Sequence, residues 1–226
     1  MKEYLVLKNV SKIVNENYIL KNINLKVSKG EIIGIVGLNG SGKTTLLKCI
    51  LNFVNYDGEI YVDNRQNNFL DKTGFLIENP NLYLNLTGKE NITFWLSFFD
   101  DIDMKYVSEL CSLFNLNLNK KVRKYSLGMK QKLGLVLALI NKPELLLLDE
   151  PTNGLDIKNI INLRNVLVNL DEATILISSH DINELSKICD RLILINNGEI
   201  VKIIKKREFS IYREKKLVNI LETDYA

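Results

Sequence analysis

Several features that mark particular classes of protein are scarce in this sequence of 226 residues. Its three cysteines, Cys49, Cys111 and Cys189, are odd in number and lack metal-ligand spacing, which predicts reduced thiols in the core of a cytosolic protein. No apolar run approaches the roughly 18 residues that cross a bilayer, and the N-terminus lacks a signal-peptide core. The net charge is only +3, with 30 basic and 27 acidic residues interspersed, so no nucleic acid is expected as a partner. A hydrophobic content of 46% predicts a globular domain, for which any membrane span would come from another chain.

A glycine-rich segment is the strongest chemical signal. The apolar run Ile32–Val36 leads into Gly37–Thr45, which reads GLNGSGKTT, and then into Leu46–Leu51. A strand, a glycine loop and a helix in this order predict a P-loop, whose backbone N–H groups point at a phosphate chain. Lys43 is predicted to reach the β- and γ-phosphates and Thr44 to ligate Mg²⁺. The predicted nucleotide-binding residues are Asn39, Gly40, Ser41, Gly42, Lys43, Thr44 and Thr45.

Two acids follow a run of four leucines. Leu145–Leu148 is apolar throughout, which is typical of a strand buried on both faces, and Asp149 and Glu150 come directly after it. Such acids lie at the carboxyl end of the sheet, where open α/β folds bind ligands. We therefore predict that Asp149 holds Mg²⁺ through its water shell and that Glu150 orients a water for attack on the γ-phosphate.

A third candidate site is a helix start within residues 125–131, YSLGMKQ. Ser126 precedes a long apolar helix, and its hydroxyl, the glycine at Gly128 and the helix dipole together suit a second phosphate-binding terminus. Taken alone, the same segment is an ordinary helix cap.

The distribution of strands and helices predicts an α/β fold. Apolar runs near residues 3–8, 20–27, 73–77, 174–177 and 191–195 read as strands, Asp57-Gly58 reads as a hairpin turn, and residues 86–139 have helical spacing. Alternating strands and helices imply a mostly parallel sheet covered on both faces, with an antiparallel β portion and an inserted helical subdomain. We predict one domain over 1–226, with its core at about 1–77 and 137–204, the helical subdomain at about 78–136 and a basic tail at about 205–226.

These motifs, with Asp149-to-Asp156 (DEPTNGLD) and Ser178-Ser179-His180, resemble the nucleotide-binding subunit of ABC transporters in order and spacing across nearly the whole chain. The resemblance implies a P-loop NTPase core that hydrolyses ATP with Mg²⁺ and sandwiches ATP between two subunits. Ser126, Gly128 and Gln131 would then contact nucleotide held by the partner's P-loop, and His180 would bond to the γ-phosphate.

Three departures from the family pattern stand out. Glu78 takes the place of a glutamine that contacts Mg²⁺ and the attacking water, so it becomes a predicted catalytic and metal-binding residue. Leu127 interrupts the usual serine-glycine-glycine signature. The aromatic position that stacks on adenine falls on Val14; Tyr18 either substitutes for it or is an ordinary surface or core tyrosine.

The segment around Glu78, residues 77–87, is similar to ATPase subunits of bacitracin-resistance and lantibiotic self-protection exporters. The resemblance implies a second ATPase subunit, separate transmembrane permease subunits and a position at the inner face of the cell membrane. Tyr83, Phe94, Trp95 and Phe98 either line the permease groove or form the subdomain's own core. An orphan or regulatory ABC ATPase and an exporter of an unrelated substrate remain alternatives. The basic cluster of the tail, which comprises Lys205, Lys206, Arg207, Lys215 and Lys216, either faces anionic lipid or is solvated.

Overall fold

The computed structural model describes residues 2–66, 69–170 and 172–211. These residues form two sheets and six α-helices. The strands are β1 (Glu3–Val14), β2 (Asn17–Ser28), β3 (Ile32–Val36), β4 (Asp57–Val62), β5 (Thr73–Leu76), β6 (Leu145–Asp149), β7 (Thr174–Ser178), β8 (Arg191–Asn196) and β9 (Glu199–Lys205). The helices are α1 (Lys43–Ile50), α2 (Gly88–Leu96), α3 (Met104–Leu113), α4 (Leu127–Leu139), α5 (Ile157–Val168) and α6 (Ile182–Ser186).

The larger sheet has the strand order β5-β6-β7-β3-β8-β9 and is parallel except at its antiparallel edge pair β8–β9. The smaller sheet, β2-β1-β4, is antiparallel throughout. The predicted α/β fold with a parallel core and an antiparallel portion is therefore confirmed.

Two hydrophobic clusters cover opposite faces of the larger sheet. Successive strand residues point to opposite faces, so Leu145 and Leu147 pack with α1 and the smaller sheet, whereas Leu146 and Leu148 pack with α3 and α4. Helix α1 lies between the two sheets with Leu46, Leu47 and Cys49 fully buried. This burial fixes the position of the loop that precedes α1.

The predicted turn at Asp57-Gly58 is wrong, because both residues belong to β4, which pairs with β1. A register shift in β1 between Lys8 and Ser11 brings the chains close together there. Gly58 has a φ of 100°, and a Cβ on it would lie 2.5 Å from the carbonyl oxygen of Asn9. The glycine is needed for this close approach at a bulge and not for a two-residue turn.

Strand β9 was not among the predicted strands. It forms a hairpin with β8 through Asn197 and Gly198, whose φ values of 45° and 77° suit a type I′ turn. The Asn-Gly pair between two strand-like runs was the sequence signal for it.

The division into a core and a helical subdomain stays a prediction; its boundary near residue 136 falls within the continuous helix α4. Most of the predicted basic tail, including Lys215 and Lys216, lies outside the described residues.

Candidate functional site

The glycine loop runs from the end of β3 to the start of α1 and curls around the ammonium group of Lys43. Its Nζ donates hydrogen bonds to the carbonyls of Gly37 at 2.7 Å and Leu38 at 3.0 Å. Lys43 is only 6% exposed, and burial lowers the pKa of its ammonium although Glu150 and Asp149 act in the opposite direction. A buried cation inside a loop of backbone amides is suited to a polyanionic ligand.

The start of α1 is open to such a ligand. Its N-cap residue, Gly42, has a φ of 106° and provides no side-chain cap, so the first N–H groups of the helix have no intrahelical or capping partner. A Cβ on Gly42 would lie 2.8 Å from the carbonyl oxygen of Ile19, so β2 packs directly against this turn. The hydroxyl of Ser41 is also buried without a hydrogen-bond partner.

A hydrogen-bonded chain joins the loop to the acidic strand. Oγ1 of Thr44 donates to Oδ2 of Asp149 at 2.7 Å, and the Ser178 hydroxyl donates to Oδ1 of the same carboxylate at 2.5 Å. Ser178 also accepts a bond from the backbone N–H of Glu150 at 3.0 Å. The neighbouring ends of β6 and β7 therefore fix both predicted acids relative to Thr44.

Glu150 and His180 meet at the mouth of the sheet. Nδ1 of His180 lies 2.9 Å from Oε2 of Glu150, with 68% of the histidine side chain and 19% of the glutamate side chain exposed. Glu150 has a φ of 45°, a left-handed conformation that is uncommon for a residue with a side chain. The acid and the only histidine of the chain thus form one unit beside Asp149.

Glu78 approaches the same region from the loop after β5. Its carboxylate forms an ion pair with Lys48 of α1, with Nζ and Oε1 2.6 Å apart. Lys48 was not among the predicted site residues. Its position four residues after Thr44, on the same helix face, was the available signal.

The predicted second phosphate-binding terminus is a capped helix start. The Ser126 hydroxyl accepts from the N–H of Met129 at 3.3 Å, and Leu127 is exposed. Gly128 packs against the loop after β6, since a Cβ on it would lie 2.3 Å from the carbonyl oxygen of Gly154. Gln131 is buried, and its amide donates to the carbonyl of Pro151 at 3.2 Å. Within this chain, these contacts attach the segment to the loop after Glu150.

Tyr18 is exposed and lies in the β1–β2 hairpin, paired across it with Ile13. It directly precedes Ile19, the residue that packs against Gly42. The hairpin therefore flanks the glycine loop, and whether Tyr18 binds a base stays a prediction.

A groove of about 370 Å³ lies between the Glu78 loop and α4. Of the four aromatics predicted to line it or form the subdomain core, only Trp95 lines it, together with Phe53, Phe75 and Phe99. Tyr83, Phe94 and Phe98 instead form an exposed edge-to-face stack, with ring centroids 4.6 Å apart for the first pair and 5.2 Å for the second. Helix α2 ends at Leu96, before Phe98, which leaves this side chain at the surface.

The oxygen atoms that the protein offers beside the glycine loop suit a hard cation that takes its other oxygen ligands from a nucleotide. Among the described residues, no group of three His, Cys, Asp or Glu side chains could hold a metal by itself. The Thr44 hydroxyl and the Asp149 carboxylate, already in contact, match the few protein ligands that Mg²⁺ takes beside phosphates and water.

The family model described as ABC transporter matches residues 20–153, more than half of the chain. The chain belongs to the ABC transporter family. This ABC ATPase is 35% identical to the bacitracin transport ATP-binding protein of Enterococcus faecalis, over 99% of this chain and 80% of the relative. It is 36% identical to the lantibiotic transport ATP-binding protein of Streptococcus pyogenes, over 87% of this chain and 89% of the relative.

The fold of this ABC ATPase is also similar to that of solved ATP-binding cassettes. A dimeric cassette in a post-hydrolysis state with bound ADP and Pi superposes with a TM-score of 0.79 at 31% identity, covering 90% of this chain and 99% of the other. The predicted family, fold class and ATP-hydrolysing activity are confirmed. No helix in the described part of this ABC ATPase is long and apolar enough to cross a membrane.

Proposed function

We propose that this ABC ATPase powers the export of antimicrobial peptides of the bacitracin or lantibiotic class. ATP hydrolysis is supported by two neighbouring contacts beside the glycine loop. Thr44 contacts Asp149, and Glu150 contacts His180. The substrate class is supported by the relatives that transport bacitracin and lantibiotics.

In the proposed reaction, the loop amides and Lys43 bind the triphosphate of ATP. Bound Mg²⁺, held by Thr44 and Asp149 and contacted by Glu78, would neutralise phosphate charge. Glu150 accepts a proton from a water molecule. The oxygen of that water bonds to the γ-phosphorus while the bond from the γ-phosphorus to the β–γ bridging oxygen breaks. The products are ADP and phosphate, and Glu150 returns its proton to the phosphate. His180 positions the Glu150 carboxylate and bonds to the γ-phosphate.

The site is proposed to be completed by a second copy of the chain. Ser126, Gly128 and Gln131 of the partner subunit would contact the γ-phosphate, while Tyr18 contacts the adenine base. The dimeric relative with bound ADP and Pi supports this arrangement.

The membrane part of the transporter is proposed to be a separate permease. A cytoplasmic helix of the permease would occupy the groove beside Glu78, where Trp95, Phe75 and Phe99 provide an apolar lining. The ATPase would then be peripheral at the inner face of the cell membrane.

The catalytic assignment is tested by Glu150→Gln. We expect kcat for ATP to fall by about 100-fold or more, the usual size of a general-base contribution, while the Kd for ATP stays within about threefold. Glu172→Gln, the same change at an exposed residue that pairs with Lys29, is the control and should leave both values unchanged. A Glu150→Gln variant that hydrolyses ATP at the normal rate contradicts the role.

The substrate class is tested by reconstitution with the permease subunits in lipid vesicles. A lantibiotic or bacitracin should stimulate ATP hydrolysis in the complex and leave the rate of the isolated ATPase unchanged. If neither peptide stimulates ATP hydrolysis or is transported, peptide export is rejected. The assignment of ATPase activity is then unaffected.

A further inference from the structure

An ion pair links the helix that follows the glycine loop to the loop that follows β5. Lys48 lies in α1, and its ammonium is 2.6 Å from the carboxylate of Glu78. The side chains are 29% and 57% exposed, and both residues line the groove beside α4. The pair therefore joins the nucleotide-binding helix to one wall of the groove.

Lys48 lies on the face of α1 that carries Thr44. Residues four apart on a helix share a face, so the ammonium lies one turn beyond the hydroxyl that contacts Asp149. The other cation of α1, Lys43, already donates to the carbonyls of Gly37 and Leu38. Lys48 is thus the cation of α1 that faces Glu78.

Glu78 and Glu150 occupy equivalent places after neighbouring strands, and both have a positive φ. Leu76 of β5 pairs with Leu148 of β6, so each glutamate lies two residues beyond a paired position, at the same edge of the sheet. Their φ values are 56° and 45°. Together with Asp149, they place three carboxylates at the edge where a triphosphate is proposed to bind.

Such a concentration of negative charge opposes the binding of an anionic ligand unless a cation compensates it. We propose that Lys48 is a positioning residue that fixes the Glu78 carboxylate and cancels its repulsion of the triphosphate of ATP. This inference rests on the proposed nucleotide site. The ion pair with Lys48 explains how the loop after β5 accommodates a glutamate at position 78.

The test measures the Kd of ATP by calorimetry, with Mg²⁺ and separately with EDTA, for three variants. Lys48→Met should weaken binding about tenfold in EDTA, because Glu78 then repels the phosphates without compensation, and by less with Mg²⁺, which Glu78 is proposed to contact. Lys48→Met combined with Glu78→Gln should return the Kd to within about twofold of that of Glu78→Gln alone, since the carboxylate that pairs with Lys48 is then absent. The loss caused by Lys48→Met should also shrink as NaCl is raised, because salt screens exposed charges.

The matched control is Lys26→Met, which removes the exposed partner of Glu3 in the smaller sheet and should not change the Kd. An equal loss of affinity from Lys48→Met in the wild-type protein and in the Glu78→Gln variant would assign Lys48 a packing role and overturn the inference. If Lys48→Met does not fold, Lys48→Gln in the same two backgrounds gives the same comparison. If the wild-type protein does not bind ATP, both the nucleotide site and the inference are refuted. If it binds ATP but the losses in the two backgrounds are equal, only the inference is refuted.

Discussion

At the scale of single residues, the signature segment keeps a glycine only where the fold requires one. A Cβ on Gly128 would collide with the carbonyl oxygen of Gly154, 2.3 Å away, whereas Leu127 points outward and is 59% exposed. Within one chain, a leucine therefore fits where the usual signature has its preceding glycine, because most of the Leu127 side chain meets solvent and the rest lies beside Gly154.

The three cysteines show how burial controls chemical reactivity. All are free and buried, and burial raises the pKa of the Cys49 thiol to about 11 and moves those of Cys111 and Cys189 upward as well. The thiolate is the reactive form, so the core environment suppresses reaction with oxidants and alkylating agents.

We predict that native protein at pH 8 reacts with a thiol reagent such as DTNB at well below one thiol per chain over minutes, and that all three react after denaturation. Rapid reaction of a thiol in the folded protein, with unchanged circular dichroism, would contradict the buried positions of the cysteines.

At the scale of elements, helix α2 has the most complete local start signal. The Thr87 hydroxyl accepts from the N–H of Glu90 at 3.2 Å, and the Glu90 carboxylate accepts from the N–H of Thr87 at 2.7 Å, which is a capping box. Asn91 adds bonds from its side chain to the backbone of Tyr83 and Thr87. The turn between the groove and α2 is thereby held in one conformation.

Thr87→Ala should lower the free energy of unfolding by about 1 kcal/mol, because an N–H at the helix start loses its acceptor. The expected fall in Tm is about 2 to 4 °C for a chain of this size. Thr93→Ala, an exposed position within the same helix, is the control and should leave the Tm nearly unchanged or slightly higher. Equal losses at the two positions would mean that the capping bonds do not stabilise the fold.

Helix α4 connects the two chemical regions of the chain. Its N-terminus contacts the loop after Glu150 through Gly128 and Gln131, and its middle contacts the Glu78 loop, where a Cβ on Gly134 would lie 2.7 Å from Pro80. The helix is apolar on most sides, which is typical of a helix enclosed by other elements. A displacement of either loop is therefore expected to shift α4.

At the scale of the whole molecule, the glycine loop and the Ser126 segment belong to two separate parts of the site. Within one chain, the Ser126 segment packs against the Gly154 loop, while Thr44, Asp149 and Ser178 form their own hydrogen-bonded network. A complete site on the proposed mechanism therefore needs two chains, each contributing one part.

Glu150→Gln with ATP is expected to elute from a sizing column as a dimer, because ATP then joins the two chains and is not hydrolysed. The same variant with ADP should elute as a monomer. Adding Lys43→Ala to Glu150→Gln should abolish the dimer, since the buried cation that faces the phosphates is lost. A dimer that forms equally without nucleotide would contradict the nucleotide-dependent association.

The chemistry of this protein was largely determined by local sequence. The glycine loop, the acids after four leucines and the Asp149-to-Asp156 segment each depend on residues close together in the chain, because the backbone of a strand end or helix start fixes their geometry. Continuous apolar runs likewise predicted β3, β6, β7 and β8, whose apolar residues are buried on both faces of one sheet.

Only the tertiary structure decided contacts between distant residues. The bulge at Gly58, the placement of Trp95 between the groove and the exposed ring of Phe98, and the Lys48–Glu78 pair depend on strand register and on where helices end. Local sequence carries little information on such contacts, because side chains far apart in the chain meet only after the sheet has set the distance between its strands.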